Sequence, residues 1–285
     1  MMIIGGSRSK SIAADLSKLL EEPLVDPIIK RFPDGELYLR IPEEIKGNHI
    51  VVVQTAYPDE NIIELLLLLN AAREAGAERI TTIIPYMGYT RQDRKFNEGE
   101  PISAKVIAKI VGIDADDVVT IDPHKDYIVD FFDIPAKAIS AVPLIAEYLK
   151  DKNIDMVLAP DRGALKRAET AAEILGCEVD HLEKTRIDET TIKITPKTLE
   201  VNGKNIAIID DIISTGGTIS SSIKELKKQG AGKIIAACTH GVFVGNAIEK
   251  IQKAGCDEII TTDTIPNQFS KVKIAPLVAD LLKAK

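Results

Sequence analysis

At 285 residues the chain is long enough for two domains of ordinary size, or one large one. Its 45% hydrophobic and 28% charged residues exclude a disordered or fibrous protein, and the lack of tryptophan leaves the core to Ile, Leu, Val and Ala. A net charge of -7 gives no general attraction to nucleic acid or to an anionic membrane, so an anionic substrate needs a local cluster of bases.

The first six residues lack the basic region and long apolar stretch of a signal peptide, and the apolar run 65–69 is too short to cross a bilayer, which points to a cytoplasmic protein. Cys177, Cys238 and Cys256 are odd in number, widely spaced and flanked by aliphatic residues, as expected of reduced core thiols rather than a disulfide framework or zinc site.

In chain order, the spacing of apolar residues predicts a strand over 49–54, a helix over 61–75, a strand over 79–85, a helix over 103–111 and a strand over 117–122. The series then starts again with a strand over 155–160, helix 165–175, strand 206–210, helix 218–228, strand 233–239, helix 247–254 and strand 258–262. This alternation predicts an α/β protein of two similar domains, each a mainly parallel sheet flanked by helices, over 1–139 and 140–285. The last helix is a candidate to pack back on the first domain. No residue-level repeat relates the halves. The polar, poorly periodic segment 186–191 is expected to form a mobile loop between strands.

Ligands of open α/β sheets bind at the carboxyl edge of the strands, so polar residues after apolar runs are the candidates. Asp210 and Asp211 end one such run, and Ser214, Thr215, Gly216, Gly217 and Thr218 lead from it into a helix. Amides exposed by glycines at a helix start, with three hydroxyls, can cradle a phosphate dianion. The paired acids repel that phosphate and therefore face sugar hydroxyls or a metal ion. A plain strand followed by a capped helix would leave the adjacent acids unexplained. The segment resembles the 5-phosphoribosyl-diphosphate binding motif shared by phosphoribosyltransferases and ribose-phosphate diphosphokinases.

Other constellations carry weaker signals. Phe32 offers a flat face, and Asp34 and Glu36 around Gly35 offer acceptors suited to adenine, although Pro-Asp-Gly between strands is also an ordinary turn. Arg91, Gln92, Asp93, Arg94 and Lys95 supply the local basic cluster for a polyphosphate, or else a solvated loop. His124 follows a strand, as does Asp161, which could equally cap the next helix. Lys184 and Arg186 alternate onto one face of a strand, where two like charges call for an anion or for solvent.

Taken together and in order, these segments resemble the ribose-phosphate diphosphokinase family from residue 31 to residue 278. Further landmarks are Pro101-Ile102-Ser103, Phe131-Phe132-Asp133, Thr239-His240-Gly241 and Thr262-Asp263-Thr264. The resemblance implies the type I phosphoribosyltransferase-like fold in both domains. It also implies that Phe32, Asp34, Gly35 and Glu36 grip the adenine of ATP near a subunit interface of a homodimer or higher homo-oligomer. Arg91 and Gln92, with Asp93 and Arg94, are implied to bind ATP, His124 and Asp161 to contact Mg2+, and Lys184 and Arg186 to be catalytic. Arg186, Asp210, Asp211 and residues 214–218 would hold ribose 5-phosphate.

Two departures stand out. Many family members carry an aspartate where this chain has Ser214, and the usual Asp-Leu-His is Asp122-Pro123-His124. Regulation by ADP or phosphate ion is therefore not carried over. Two other readings compete. A phosphoribosyltransferase would leave residues 34–36 and 91–94 unexplained, and a non-catalytic regulatory homologue would be favoured by loss of Lys184, Arg186 or His124, all of which are present.

Overall fold

Runs of β-branched residues buried on both faces, such as Ile50 to Val53, are what a parallel sheet covered by helices requires. The computed structural model describes residues 1–186, 192–195 and 200–284. They form two units, one of Met1–Ser140 with the segment from Ile274 on, the other of Ala141–Lys273.

The first unit runs β1 (Met2–Gly5), α1 (Lys10–Leu20), β2 (Leu24–Val25), β3 (Ile28–Arg31), β4 (Leu37–Arg40), β5 (His49–Val53), α2 (Asp59–Glu74), β6 (Arg79–Ile84), α3 (Ser103–Val111), β7 (Asp117–Ile121) and β8 (Ala136–Ile139). Six strands pair in parallel in the order β2-β1-β5-β6-β7-β8, with Val51 in register between Ile3 and Thr81. Strands β3 and β4 form a separate antiparallel ribbon. The buried face of α2, Ile62, Leu65, Leu68, Leu69 and Ala72, follows helical spacing and closes one core over the sheet with Val52, Ile80 and Ile84.

The second unit runs α4 (Val142–Leu149), β9 (Met156–Ala159), α5 (Leu165–Leu175), β10 (Glu178–His181), β11 (Glu183–Arg186), β12 (Ile192–Thr195), β13 (Ile206–Ile213), α6 (Gly217–Lys228), β14 (Ile234–Gly241), α7 (Ala247–Lys253), β15 (Glu258–Thr262) and β16 (Ser270–Val272). Its six-stranded parallel sheet has the order β10-β9-β13-β14-β15-β16, with β11 and β12 as a second antiparallel ribbon. The closing helix α8 (Ala275–Lys283) packs on α1 in the first unit.

The two sheets share one plan. Counting only sheet strands, each is ordered 2-1-3-4-5-6, and each carries its ribbon between the second and third. Alternate residues of β13 feed two cores: Ile206 and Ile208 pack with α6 and α7, and Ala207 and Ile209 with α4 and α5.

The predicted strand over 206–210 continues to Ile213, because the ladder with β14 goes on through Ile212–His240 and Ile213–Gly241 after the apolar run ends. All three cysteines are free thiols. Cys238 is wholly buried, whereas Cys177 and Cys256 are only partly so.

Candidate active site

A strand order of 2-1-3-4-5-6 reverses between its first and third strands, and at such a point a crevice opens beyond the carboxyl ends. In the second unit β9 and β13 flank that point. Strand β9 leads to Asp161, whose Oδ1 accepts from the Gly163 amide at 2.9 Å and caps the short turn Arg162–Ala164 before α5. The capping role open to this residue in sequence is thus used by one of its oxygens.

Strand β13 brings Asp210 and Asp211 to the same edge. The pleat gives them opposite faces: Asp210, in register with Cys238, continues the Ile208 row, and Asp211 continues the Ile209 row toward α5. There Arg167 Nη2 lies 3.7 Å from Asp211 Oδ2. The Asp211 amide donates to Asp210 Oδ1 at 2.9 Å. Burial pushes the Asp210 carboxyl well above the usual carboxylate range, reinforced by the charge of Asp211, a side-chain hydrogen bond with it, and the charge of Asp161. A carboxyl that keeps its proton can donate to a sugar hydroxyl as well as accept from it.

Residues 214–216 form the turn from β13 into α6. Gly216 has φ +71, and a Cβ there would stand 2.9 Å from the Ala247 carbonyl oxygen, so backbone angle and space both require glycine. Its carbonyl accepts the first helical bond, from Ser220 N at 2.9 Å, and the amides before that bond open toward the loop. The Ser214 carbonyl accepts from Val244 N at 3.0 Å, which ties the loop to the segment after β14. A Cβ on Gly217 would meet nothing nearer than Thr215 Oγ1 at 3.8 Å, leaving room for an anion to approach.

The equivalent places in the first unit are built differently. The turn from β5 into α2 contains no glycine, and Asp59 and Glu60 occupy the first helical turn, a charge pattern that repels phosphate. At the reversal between β1 and β5, the buried Glu64 carboxylate accepts from Ser7 N at 2.6 Å, Ser7 Oγ at 2.7 Å and Gln54 Nε2 at 2.8 Å. At that point the protein's own side chains bond to one another.

The nucleotide candidates lie elsewhere on this unit. Residues 32–36 make the turn of the β3–β4 ribbon, held by Phe32 N to Glu36 O and Gly35 N to Phe32 O, both 2.9 Å, and by Glu36 N to Asp34 Oδ1 at 3.0 Å. Gly35 has φ +93. The turn reading is therefore realised, and it displays Phe32, half exposed, edge-on to Tyr38 with centroids 5.8 Å apart. In the loop after β6, Arg91 and Arg94 are exposed, and Arg94 lies over the Phe96 ring. Gln92 Oε1 accepts from Ser103 Oγ at 2.6 Å. Asp93 is buried and accepts from the Tyr127 hydroxyl, so its carboxylate fastens the loop. His124 follows β7 after a turn through Asp122, whose φ is +35.

Lys184 and Arg186 sit two apart on β11, opposite Ile194 and Ile192 of β12. Residues 187–191 of the expected loop lie outside the described residues. Sequence reading gave no role to Arg167, Tyr127 and Glu64, nor to Ser103 within its landmark, because their partners are distant in the chain and leave no local pattern.

Among the described residues no group of three or more His, Cys, Asp and Glu is arranged to hold a metal, and no helix is long and apolar enough to cross a membrane. The chain matches the model for the N-terminal domain of ribose phosphate pyrophosphokinase over residues 1–112, and the phosphoribosyl transferase domain over residues 130–273. It is 43% identical over 284 residues to the ribose-phosphate pyrophosphokinase of Methanothermobacter thermautotrophicus, covering 99% of this chain and 100% of the relative. Identity to the Pyrococcus furiosus ribose-phosphate pyrophosphokinase is 45% over 286 residues, with the same coverage. The solved phosphoribosylpyrophosphate synthetase of Mycobacterium smegmatis superposes with a TM-score of 0.87 at 31% identity, covering 99% of this chain and 97% of that one. With both sheets, the phosphate-type loop and full-length relatives in agreement, the chain belongs to the ribose-phosphate pyrophosphokinase family.

Proposed function

We propose that this chain transfers the β,γ-diphosphoryl group of Mg-ATP to the 1-hydroxyl of ribose 5-phosphate, giving 5-phosphoribosyl 1-diphosphate and AMP. The observation that carries the reading is the second unit's strand-reversal point, where Asp161, Asp210 and Asp211 stand beside a glycine turn opening α6. At its counterpart in the first unit Glu64 is bonded to Ser7 and Gln54.

In this reading the sugar oxygen attacks the β-phosphorus in line, the bond from that phosphorus to the α,β-bridging oxygen breaks, and AMP leaves with the electron pair. Chemistry of this kind rests on positioning and charge stabilisation rather than a covalent enzyme intermediate. Asp210 and Asp211 orient the ribose hydroxyls, and Ser214, Thr215, Gly216, Gly217 and Thr218 hold the 5-phosphate. Phe32, Asp34, Gly35 and Glu36 take the adenine, and Arg91, Gln92 and Arg94 the polyphosphate. Asp93 supports that loop from behind. Lys184 and Arg186 offset the charge that shifts during transfer.

Mg2+ suits carboxylate oxygens such as those of Asp161. It takes one or two carboxylates, keeps several waters and bridges substrate phosphates, so a cage of three protein ligands is not needed. Asp161 in the second unit and His124 in the first are each proposed as Mg2+ contacts, and the metal would supply neutralisation of phosphate charge. The protein is expected to work in the cytoplasm as a homodimer or larger homo-oligomer, with ATP near a subunit interface. Incubation with Mg-ATP and ribose 5-phosphate should release AMP in step with sugar phosphate consumed. Release of ADP would identify an ordinary kinase and overturn the assignment.

A further inference from the structure

We propose that Arg167 is a positioning residue for ribose 5-phosphate: from the first turn of α5 it holds the Asp211 carboxylate in the orientation that meets the sugar hydroxyls. The inference rests on the assignment of Asp211 to the ribose made above. Arg167 Nη2 stands 3.7 Å from Asp211 Oδ2, and the two side chains are only 16% and 6% exposed.

Packing alone does not account for an arginine at this place. Burying a guanidinium costs desolvation. A cation in the first turn of a helix also opposes the helix dipole, and that turn contains no acidic residue to offset it. The rest of the α5 face is apolar and small, with Ala168, Ala171 and Ala172 against the sheet. What compensates the charge is a carboxylate on another element, delivered by the odd-numbered row of β13 to the same face. At 3.7 Å the contact is an ion pair, longer than a hydrogen bond, so it can align Asp211 without itself taking up an acceptor position.

Steady-state kinetics of Arg167→Met, Arg167→Lys, Asp211→Asn and the Met/Asn double variant test the link. Arg167→Met should raise the KM for ribose 5-phosphate by about ten-fold while the KM for ATP stays within about two-fold. Arg167→Lys, which keeps the charge but not the planar fork, should fall between wild type and Met, and it serves as the readout if the Met variant does not fold. The double variant should be no worse than Asp211→Asn alone. A full, additive Arg167 effect in the Asp211→Asn background would mean that the arginine acts on its own, and overturn the proposal. So would an unchanged ribose 5-phosphate KM in both Arg167 variants while Asp211→Asn raises it. If Asp211→Asn itself leaves that KM unchanged, the ribose assignment falls first and takes the Arg167 link with it.

Discussion

The Ser103 hydroxyl, at the start of α3, donates to Gln92 Oε1 at 2.6 Å. The Gln92 amide also helps stabilise the ionised Glu100 carboxyl, which is held below its ordinary range first by Asn97, then by the Phe96 and Asn97 amides. The loop carrying Arg91 and Arg94 is therefore clamped from within. Ser103→Ala removes one hydrogen bond of about 1 kcal/mol, which should appear as about a five-fold higher KM for ATP with that for ribose 5-phosphate unaltered. Equal changes in both constants would mean that Ser103 does not act through the nucleotide loop.

Phe32 is half exposed at the tip of a ribbon, where it contributes little to any core. Phe32→Ala should leave the melting temperature nearly unchanged and weaken ATP binding by ~1 to 3 kcal/mol, the value of stacking on a base. Calorimetric titration with ATP and with ribose 5-phosphate separates this from a structural role, which would weaken both.

Glu64→Ala leaves Ser7 N, Ser7 Oγ and Gln54 Nε2 without their acceptor. Loss of that buried acceptor should cost about 1 to 3 kcal/mol of stability, seen in urea unfolding, with both KM values unchanged. A selective rise in the ribose 5-phosphate KM would assign this crevice to substrate after all.

Asp210 gives a pH-dependent signature. Below the ordinary carboxylate range both folded and unfolded chains hold its proton, and nothing is lost. As pH rises, the unfolded chain releases the proton first, so stability falls until pH passes the raised folded value. Asp210→Asn removes the effect. Its melting temperature should exceed that of the wild type by about 2 to 4 °C near neutral pH, with the gap closing toward pH ~4, while ribose 5-phosphate binding weakens. A gap that widens on acidification would show that the carboxyl is not held protonated.

Lys184→Ala should lower turnover by about a hundred- to a thousand-fold with both substrates still binding, because its charge is needed chiefly as charge redistributes in the transition state. Arg186→Ala should add some loss of ribose 5-phosphate affinity, and the double variant should fall short of the sum. Near-normal turnover of folded Lys184→Ala, measured by AMP release, would reopen the reading as a non-catalytic homologue.

Contiguous features were legible in the sequence. The Asp210-to-Thr218 string reads as chemistry because the strand, acids, glycines and helix start follow one another within a few residues. Helices 103–111 and 165–175 match their predicted bounds, since their apolar spacing and termini are local. The shared strand order of the two sheets left no repeat in the letters, because parallel pairing needs apolar bulk at each position rather than a particular residue. Contacts between distant residues were equally hidden: Ser7 and Glu64 are 57 apart, and Asp93 and Tyr127 are 34 apart. Strand β1, four residues long, was too short for its period to stand out.

The return of α8 to α1 sets an order of events during synthesis. The buried face of α1, Ile12, Ala13 and Leu16, belongs to the same unit as that of α8, Ala275, Val278, Ala279 and Leu282. A ribosome makes the first set before, and the second after, all of Ala141–Lys273. The usual sequence, in which the earlier domain finishes folding first, is thereby inverted: the later unit can complete its core while the earlier one still waits for its last helix. Until α8 emerges, the apolar side of α1 is a surface for a chaperone to shield.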